Sequence, residues 1–367
     1  MFAICRGCSS HRSFPPKCGG PSDDTAACCG NARCKRSPKL ITTVIACSPE
    51  PVGASPQAPL FCPHRICYNS TWMESDHNRI VQQVCGWIPL IALPAIAIAF
   101  GRLLEPWAFM WSLSFALFFG LKWVTWWQAR SKTVHNAWRS VAYLLAWPGM
   151  DAEAFLDSTQ QVSSPAASRW LGPAFKTCLG ITLLWVVARE IPERDALLRG
   201  WTGMVGIILI LHFGSFEMIA LFWQHLGIRA EPIMRNPLGS TSLAEFWGKR
   251  WNLGFRQLAH ELIFRPAHRR VGVGTAGFLV FLVSGLIHDL VISVPARGGY
   301  GLPTLYFAIQ GVGVSIERSA LGKSLGLTAG FRGWCFMSIF LLAPVFWLFH
   351  PWFVSRVILP FMRVIHA

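Results

Sequence analysis

The sequence predicts an all-α fold: a polytopic bundle of transmembrane helices, about seven or eight spans, with re-entrant or interfacial pieces between them. Three observations carry this. Of the 367 residues, 53% are hydrophobic and only 14% are charged, against about 25% charged in soluble domains, so the chain lacks the polar surface that water requires. Apolar runs fall at 83–100, 107–127, 174–188, 201–223, 274–294, 302–316 and 333–350, several of them near the roughly 20 residues that cross a bilayer as a helix. Lys and Arg gather in a few loops between those runs, the pattern that orients membrane proteins.

Residues 1–72 precede the first run and stand apart from the membrane domain, 73–367. Seven of the twelve cysteines (Cys5, Cys8, Cys18, Cys28, Cys29, Cys34, Cys47) lie there among Pro, Gly, Ser and basic residues, without hydrophobic periodicity. The single Cys5-x-x-Cys8 has no matching second pair or regular His spacing, so no metal site is expected. The composition is that of a disordered tail, and it lacks the continuous apolar core of a secretory signal. Met73, just ahead of the first run, is an alternative translation start. Asn69-Ser70-Thr71 is a glycosylation sequon, relevant only if that side faces a lumen.

Net charge is +15. In a soluble protein this would point to nucleic acid; here it orients spans, and no nucleic-acid partner is expected. With the N-terminus inside, the loops 128–173 (Arg130, Lys132, Arg139, Arg169), 224–273 and 317–332 (Arg318, Lys323, Arg332) are all cytoplasmic. The opposite loops are poorer: 101–106 has Arg102, 295–301 has Arg297, and 189–200 balances its arginines against Glu190, Glu193 and Asp195. Arg356 and Arg363 break the alternation, so either the C-terminal tail lies along the interface or a span is miscounted. Between the second and third runs, 142–150 is too short to cross, and Pro148-Gly149 stops any helix. That gives a re-entrant or interfacial piece, and the 18 Trp suit extensive headgroup-level surface.

In the basic loop 224–273, Leu243, Trp247, Trp251, Gly254, Leu258 and Leu262 recur at three- and four-residue steps, which predicts one amphipathic helix. Glu245, Lys249, Asn252 and Arg256 fall on its other side, so Asn252 shares a face with cations. An ordinary helix lying in the interface accounts for the same pattern; the aromatic and basic cluster from Phe246 to Asn252 competes with that account. The run Gly274 to Val294 holds no ionisable side chain except His288 and Asp289. An Asp near the centre of a membrane helix costs at least ~2.5 kcal/mol, so such groups face a cavity or a partner. Neighbours on a helix point about 100° apart, and one face cannot hold both. Ser284 and Gly285, one turn earlier, allow close approach of a helix or a ligand chain. A structural histidine bonded to a neighbouring helix is the alternative for His288. His212 and Glu217, and then His260-Glu261, are weaker candidates.

Two strings carry these residues: Ser242-Leu243-Ala244-Glu245-Phe246-Trp247-Gly248-Lys249-Arg250-Trp251-Asn252 and Phe281-Leu282-Val283-Ser284-Gly285-Leu286-Ile287-His288-Asp289. With the lead-in Pro237-Leu238-Gly239-Ser240-Thr241-Ser242, they resemble the wax-synthase-like branch of the membrane-bound O-acyltransferase superfamily. The resemblance covers roughly residues 80–350 and is strongest from 231 to 318. It implies membrane helices around a buried reaction chamber and an acyl-CoA-dependent O-acyltransferase. It maps the family's intramembrane histidine onto His288 and the Asn of its Trp-Asn element onto Asn252, as the catalytic pair. Trp251 and Asp289 are supporting candidates; many relatives carry Glu after the histidine, where this chain has the shorter Asp289. Lys249, Arg250 and Arg256 would meet the CoA phosphates. Anionic lipid headgroups attract the same charges at ~1 kcal/mol each, and both readings stand.

The chemistry suits the residues. An imidazole can take the proton from an alcohol as its oxygen attacks a thioester carbonyl, and an amide such as that of Asn252 can orient the carbonyl or stabilise the oxyanion. A thiol leaves easily, so acyl-CoA is a co-substrate and neither cofactor nor metal is expected. The soluble-type signature His-His-x-x-x-Asp-Gly is absent. The expected activity is transfer of a fatty acyl group to a long-chain alcohol, as in wax-ester synthesis. It would run in an integral, multi-pass protein among membrane lipids, with a site reached from the cytoplasm and the bilayer. A sterol, glycolipid or sugar hydroxyl is the alternative acceptor, since the catalytic residues do not name it. A transporter or channel using the intramembrane His and Asp is the competing class. It predicts internal repeats with paired broken helices, and none is visible in the sequence.

Overall fold

The computed structural model describes residues 70–367, with side chains from Val84 onward. The N-terminal tail, the Cys5–Cys8 pair and the Asn69 sequon lie outside the described residues. Among those described, every regular element is helical. α1 (Ser70–Phe100) and α2 (Pro106–Ala129) form a hairpin, and α2 opens on Pro106, whose missing N–H is no loss at a first helical position. The short α3 (Ala137–Ala146) stops at Trp147, ahead of Pro148-Gly149, and is followed by α4 (Ala152–Leu156). α5 (Ala167–Glu190) and α6 (Glu193–His225) cross with their backbones nearly touching: a Cβ on Gly180 would lie 2.7 Å from the Gly206 carbonyl oxygen. Then come α7 (243–250), α8 (253–271), α9 (273–296), α10 (Leu302–Arg318), α11 (Ala320–Ser324), α12 (Gly330–Leu348) and α13 (351–364).

Among the described residues, six helices are long and apolar enough to cross a membrane, and with α10 they account for all seven apolar runs. α10 has 17 residues, about 26 Å at 1.5 Å per residue. One face of it is buried in protein: Gln310 and Glu317 are 0% and 2% exposed, Gln310 donating to the Phe340 carbonyl at 2.7 Å and Glu317 accepting the bonds described below. On the outer helices, by contrast, Ile91, Phe175 and Leu342 are 71%, 69% and 67% exposed, an apolar surface of the kind that meets lipid.

α8 and α9 read as one 44-residue helix, too long for a single crossing of a core about 30 Å thick. Gly272 breaks it, at φ 80° and ψ 165°, a conformation open to glycine alone. α9 then packs on α10 with no room to spare: a Cβ on Gly285 would lie 2.7 Å from the Cα of Thr304. The carboxylate of Asp289 accepts from the N–H of Gly301 at 2.9 Å and from the N–H and hydroxyl of Thr304, so it caps α10 from the neighbouring helix.

The C-terminal segment packs on the helix bundle. Val354, Val357, Leu359 and Met362 of α13 are buried against Leu184 and Met204 of α5 and α6. Arg356, which broke the charge alternation, donates to the carbonyls of Ala296 and Arg297 at 3.1 and 3.0 Å, where the carbonyl end of α9 favours a cation.

Candidate active site

The site is built on the junction of α7 and α8, facing α9 and α10. α7 begins where Ser242 Oγ accepts the N–H of Glu245 at 3.1 Å. From α10, the buried carboxylate of Glu317 accepts the N–H groups of Leu243 and Ala244 at 2.7 and 3.1 Å, an anion placed at a helix N-terminus. Glu245 turns back to the Thr241 N–H at 2.8 Å and pairs with Arg250 at 2.8 Å. Those contacts, the Thr241 N–H first, hold its carboxyl below the usual carboxylate range. A π turn over Phe246–Arg250 ends α7, and Trp247 is wedged between the rings of Phe281 and Phe307, with centroids 5.9 and 5.5 Å away.

Asn252 is left-handed, at φ 41° and ψ 62°, a region that Asn enters more readily than other non-glycine residues. Its Oδ1 accepts the N–H of Phe255 at 3.2 Å and caps α8. With the oxygen so used, the amide NH2 is the group left for other partners. The single amphipathic helix expected across 243–262 is therefore two helices, with this residue as both stop and start.

His288, on α9, has Nδ1 2.7 Å from the carbonyl oxygen of Ser284. A carbonyl only accepts, so Nδ1 carries the hydrogen and Nε2 keeps a free lone pair. The ring packs on Phe307, with centroids 4.4 Å apart. His350, which the sequence reading overlooked, shows the contrast. It is 0% exposed; its Nδ1 accepts the Phe353 N–H at 3.1 Å, and its Nε2 therefore donates to Ser293 Oγ at 3.2 Å. Both nitrogens of His350 are consumed by structure, whereas one nitrogen of His288 is not.

His288 and Asn252 line one cavity of about 610 Å³, within the range of small-molecule sites. Trp247, Trp251, Phe278 and Phe281 supply apolar wall, and Arg256, His260 and Arg318 supply its polar border. The lining holds two arginines and two histidines, and no carboxylate. Among the described residues, no three His, Cys, Asp or Glu side chains converge to hold a metal ion.

Of the residues singled out in the sequence, His288, Asn252, Trp251, Arg256 and His260 border this cavity together. Lys249 and Arg250 do not: Lys249 is exposed, and Arg250 is held by Glu245 and by the Asn236 carbonyl. The π turn and the left-handed Asn252 remove the helical phase that puts Lys249 on one face with Arg256. Asp289 is also outside the lining, occupied with capping α10. His212 packs edge-on against Phe216, and Glu217 pairs with Lys176 at 3.0 Å. Arg318 had been counted only as a loop charge, yet Phe307, Gly311, Val314, Ser315 and Arg318 follow one face of α10 into the cavity, a spacing that was there to be read. Lys122, inside α2 and 0% exposed, was also missed. It donates to the Gly149 carbonyl at 2.7 Å over the Tyr143 ring, tying α2 to the segment after α3.

Fold and cavity together define a polytopic membrane protein that encloses a largely apolar chamber lined by His288, whose Nε2 is uncommitted. Residues 230–309, which hold Asn252 and His288, match the membrane bound O-acyl transferase family. It is 33% identical over 143 residues to a probable long-chain-alcohol O-fatty-acyltransferase 2 of Arabidopsis thaliana, an alignment covering 36% of this chain and 41% of the relative. It is 31% identical over 137 residues to the long-chain-alcohol O-fatty-acyltransferase of Simmondsia chinensis, covering 30% and 39%. An acyl-CoA–sterol O-acyltransferase 1 of Arabidopsis thaliana is 31% identical over 77 residues, covering 19% and 22%. The chain thus spans about two-fifths of the length of the first of these curated relatives.

Proposed function

We propose that the protein is an O-acyltransferase that moves a fatty acyl group from acyl-CoA to the hydroxyl of a long-chain alcohol, with His288 as general base. The observation that carries this is the free Nε2 of His288 in the same cavity as the capped Asn252. The alcohol O–H donates to Nε2 and its oxygen attacks the thioester carbonyl. The NH2 of Asn252, whose orientation is fixed by the Phe255 N–H, donates to the oxyanion as charge develops on it. Collapse expels the thiolate, which takes the proton from the imidazolium. Acyl-CoA is a co-substrate in this scheme, and no cofactor takes part. The aromatic walls suit alkyl chains and exclude water from the thioester.

The Arabidopsis and Simmondsia relatives favour a long-chain alcohol; the relative named for a sterol makes a sterol hydroxyl the first alternative acceptor. Access is from the cytoplasm for CoA and from the bilayer for the alcohol, in keeping with the Lys- and Arg-rich loops on one side. The test is incubation of purified protein with labelled acyl-CoA and a panel of alcohols and sterols. Removing a general base by His288→Ala lowers kcat/KM by about 10²–10⁴-fold. Equal ester formation by variant and wild type would falsify the assignment of the base.

A further inference from the structure

Resting on the acyltransferase reading above, we infer that Met234 is a positioning residue for Asn252: its thioether, outside the cavity, holds the backbone from which the amide is aimed. The first turn of a helix leaves N–H groups without partners inside it, and α8 finds most of those partners in another segment. The Phe255 N–H goes to Asn252 Oδ1 at 3.2 Å. The Leu253 N–H goes out of the helix to the Ile233 carbonyl at 2.9 Å. The N–H of Asn252 itself goes to Met234 Sδ at 3.3 Å. Two residues earlier, the Arg250 carbonyl accepts the Arg235 N–H at 2.8 Å. Residues 233–235, in the link between α6 and α7, therefore clasp 250–253 on both sides of the left-handed residue.

The clasp is buried and tied down. Ile233 and Met234 are 8% and 6% exposed, and Gln224, near the end of α6, donates to the Ala230 carbonyl at 2.7 Å, which anchors the link. On the other flank, a Cβ on Gly254 would lie 3.3 Å from both Ile233 Cγ2 and the Met150 nitrogen. Met150 follows the Gly149 carbonyl that Lys122 holds, so the start of α8 is fixed from two directions. Neither Ile233 nor Met234 lines the cavity, and neither meets a substrate in the proposed scheme. A thioether also fills irregular gaps, but this sulfur has a more specific task. It is a weak acceptor, placed on the N–H of the residue whose amide serves the oxyanion. A left-handed non-glycine residue persists only where its surroundings hold it. An amide that must meet a developing charge has to be held to about 0.5 Å, so a small tilt of this backbone is felt at the reacting carbonyl.

The experiment uses the full chain in nanodiscs, with palmitoyl-CoA and hexadecanol as substrates. Met234→Leu removes the acceptor and nearly keeps the volume, a swap that cores tolerate. A misplacement of about 1 Å costs about a hundredfold in rate, and the loss of one weak bond shifts the amide by less. We therefore expect kcat per folded molecule to fall about tenfold, with both KM values within about twofold of wild type. The loss has to pass through the Asn252 amide. In an Asn252→Gly background, which accepts the same backbone angle and lacks the amide, Met234→Leu should change the residual kcat by less than about twofold. Equal losses in both backgrounds, or no loss in the first, overturn the inference. Hydrogen exchange followed by mass spectrometry tests the clasp without turnover. The amides of 252–255 should exchange about fivefold faster in Met234→Leu, while those of α9 stay as in wild type. Unchanged exchange at 252–255, or faster exchange throughout α8 and α9, overturns the inference. A wild type that forms no ester fails the acyltransferase reading instead, and the exchange comparison then decides whether Met234 holds Asn252.

Discussion

Asp289 stands beside the proposed base in sequence, and a carboxylate next to a histidine invites a catalytic role; the structure predicts that its removal unfolds rather than inactivates. The carboxylate accepts from the N–H of Gly301 at 2.9 Å, from the N–H of Thr304 at 3.3 Å and from the Thr304 hydroxyl. Hydrogen bonds to charged groups contribute about 1.5–3 kcal/mol each, and lost helix caps cost about 0.5–2 kcal/mol. These overlap, so Asp289→Ala should destabilise the α9–α10 pair by about 3 kcal/mol, lowering Tm by roughly 6–12 °C on the scale of soluble domains of 150–250 residues. Asp289→Asn keeps one acceptor oxygen and should lose about half as much. The assay is intrinsic Trp fluorescence during thermal unfolding in nanodiscs, paired with kcat/KM per folded molecule. Activity per folded molecule is expected to stay within about threefold of wild type in both variants, because neither touches the cavity. A hundredfold loss of kcat/KM with an unchanged Tm would place Asp289 in the chemistry and refute the capping account.

His350→Ala should likewise reduce stability by about 3 kcal/mol, through a lost cap, a lost partner for Ser293 and a cavity in place of a fully buried ring; kcat/KM per folded molecule, measured alongside Tm, should change little. Gly285→Ala forces the backbone at Thr304 away and should cost about 1–3 kcal/mol, seen as a lower Tm and a reduced folded yield. Glu245 has its carboxyl lowered in the folded state. Its stabilisation is complete above the unfolded carboxylate value and is lost as pH falls through the folded one. The wild-type Tm should therefore fall more steeply on acidification than that of Glu245→Gln, when both are followed from neutral pH to about pH 4.

Much of this architecture was legible because bilayer physics writes itself into composition. Seven apolar runs became six spanning helices and the shorter α10, and Pro148-Gly149 stopped α3 where a helix cannot continue. The residues around the cavity were legible only where the helical phase held. From Ser284 to His288 it holds, and a four-residue step brought both to one wall. Across 243–262 it fails twice, at the π turn of Phe246–Arg250 and at Asn252. Each adds a rotation that no count of apolar spacings registers. Lys249 was thereby read onto one face with Arg256, although only Arg256 borders the cavity, while Arg318 was assigned to a loop. Buried polar roles were the least visible. Lys122 and Glu317 each answer a backbone group on another element, His350 bonds the Ser293 hydroxyl 57 positions away, and a partner distant in sequence leaves no local trace. Arg356 broke the charge alternation for the same reason: a rule about loop charge knows nothing of a helix end that needs a cation.

The left-handed turn at Asn252 carries a consequence for anyone who engineers this protein. Glycine is the residue that such a backbone angle prefers, so a selection for thermal tolerance can find Asn252→Gly, whose relaxed strain of up to about 1 kcal/mol outweighs the roughly few tenths of a kcal/mol lost with the cap on the Phe255 N–H. The same change deletes the amide that faces the reacting carbonyl in the proposed scheme. Directed evolution at this position thus meets a fork at which robustness and turnover pull apart within one side chain, and libraries screened on heat resistance alone will drift toward a sturdy but idle scaffold.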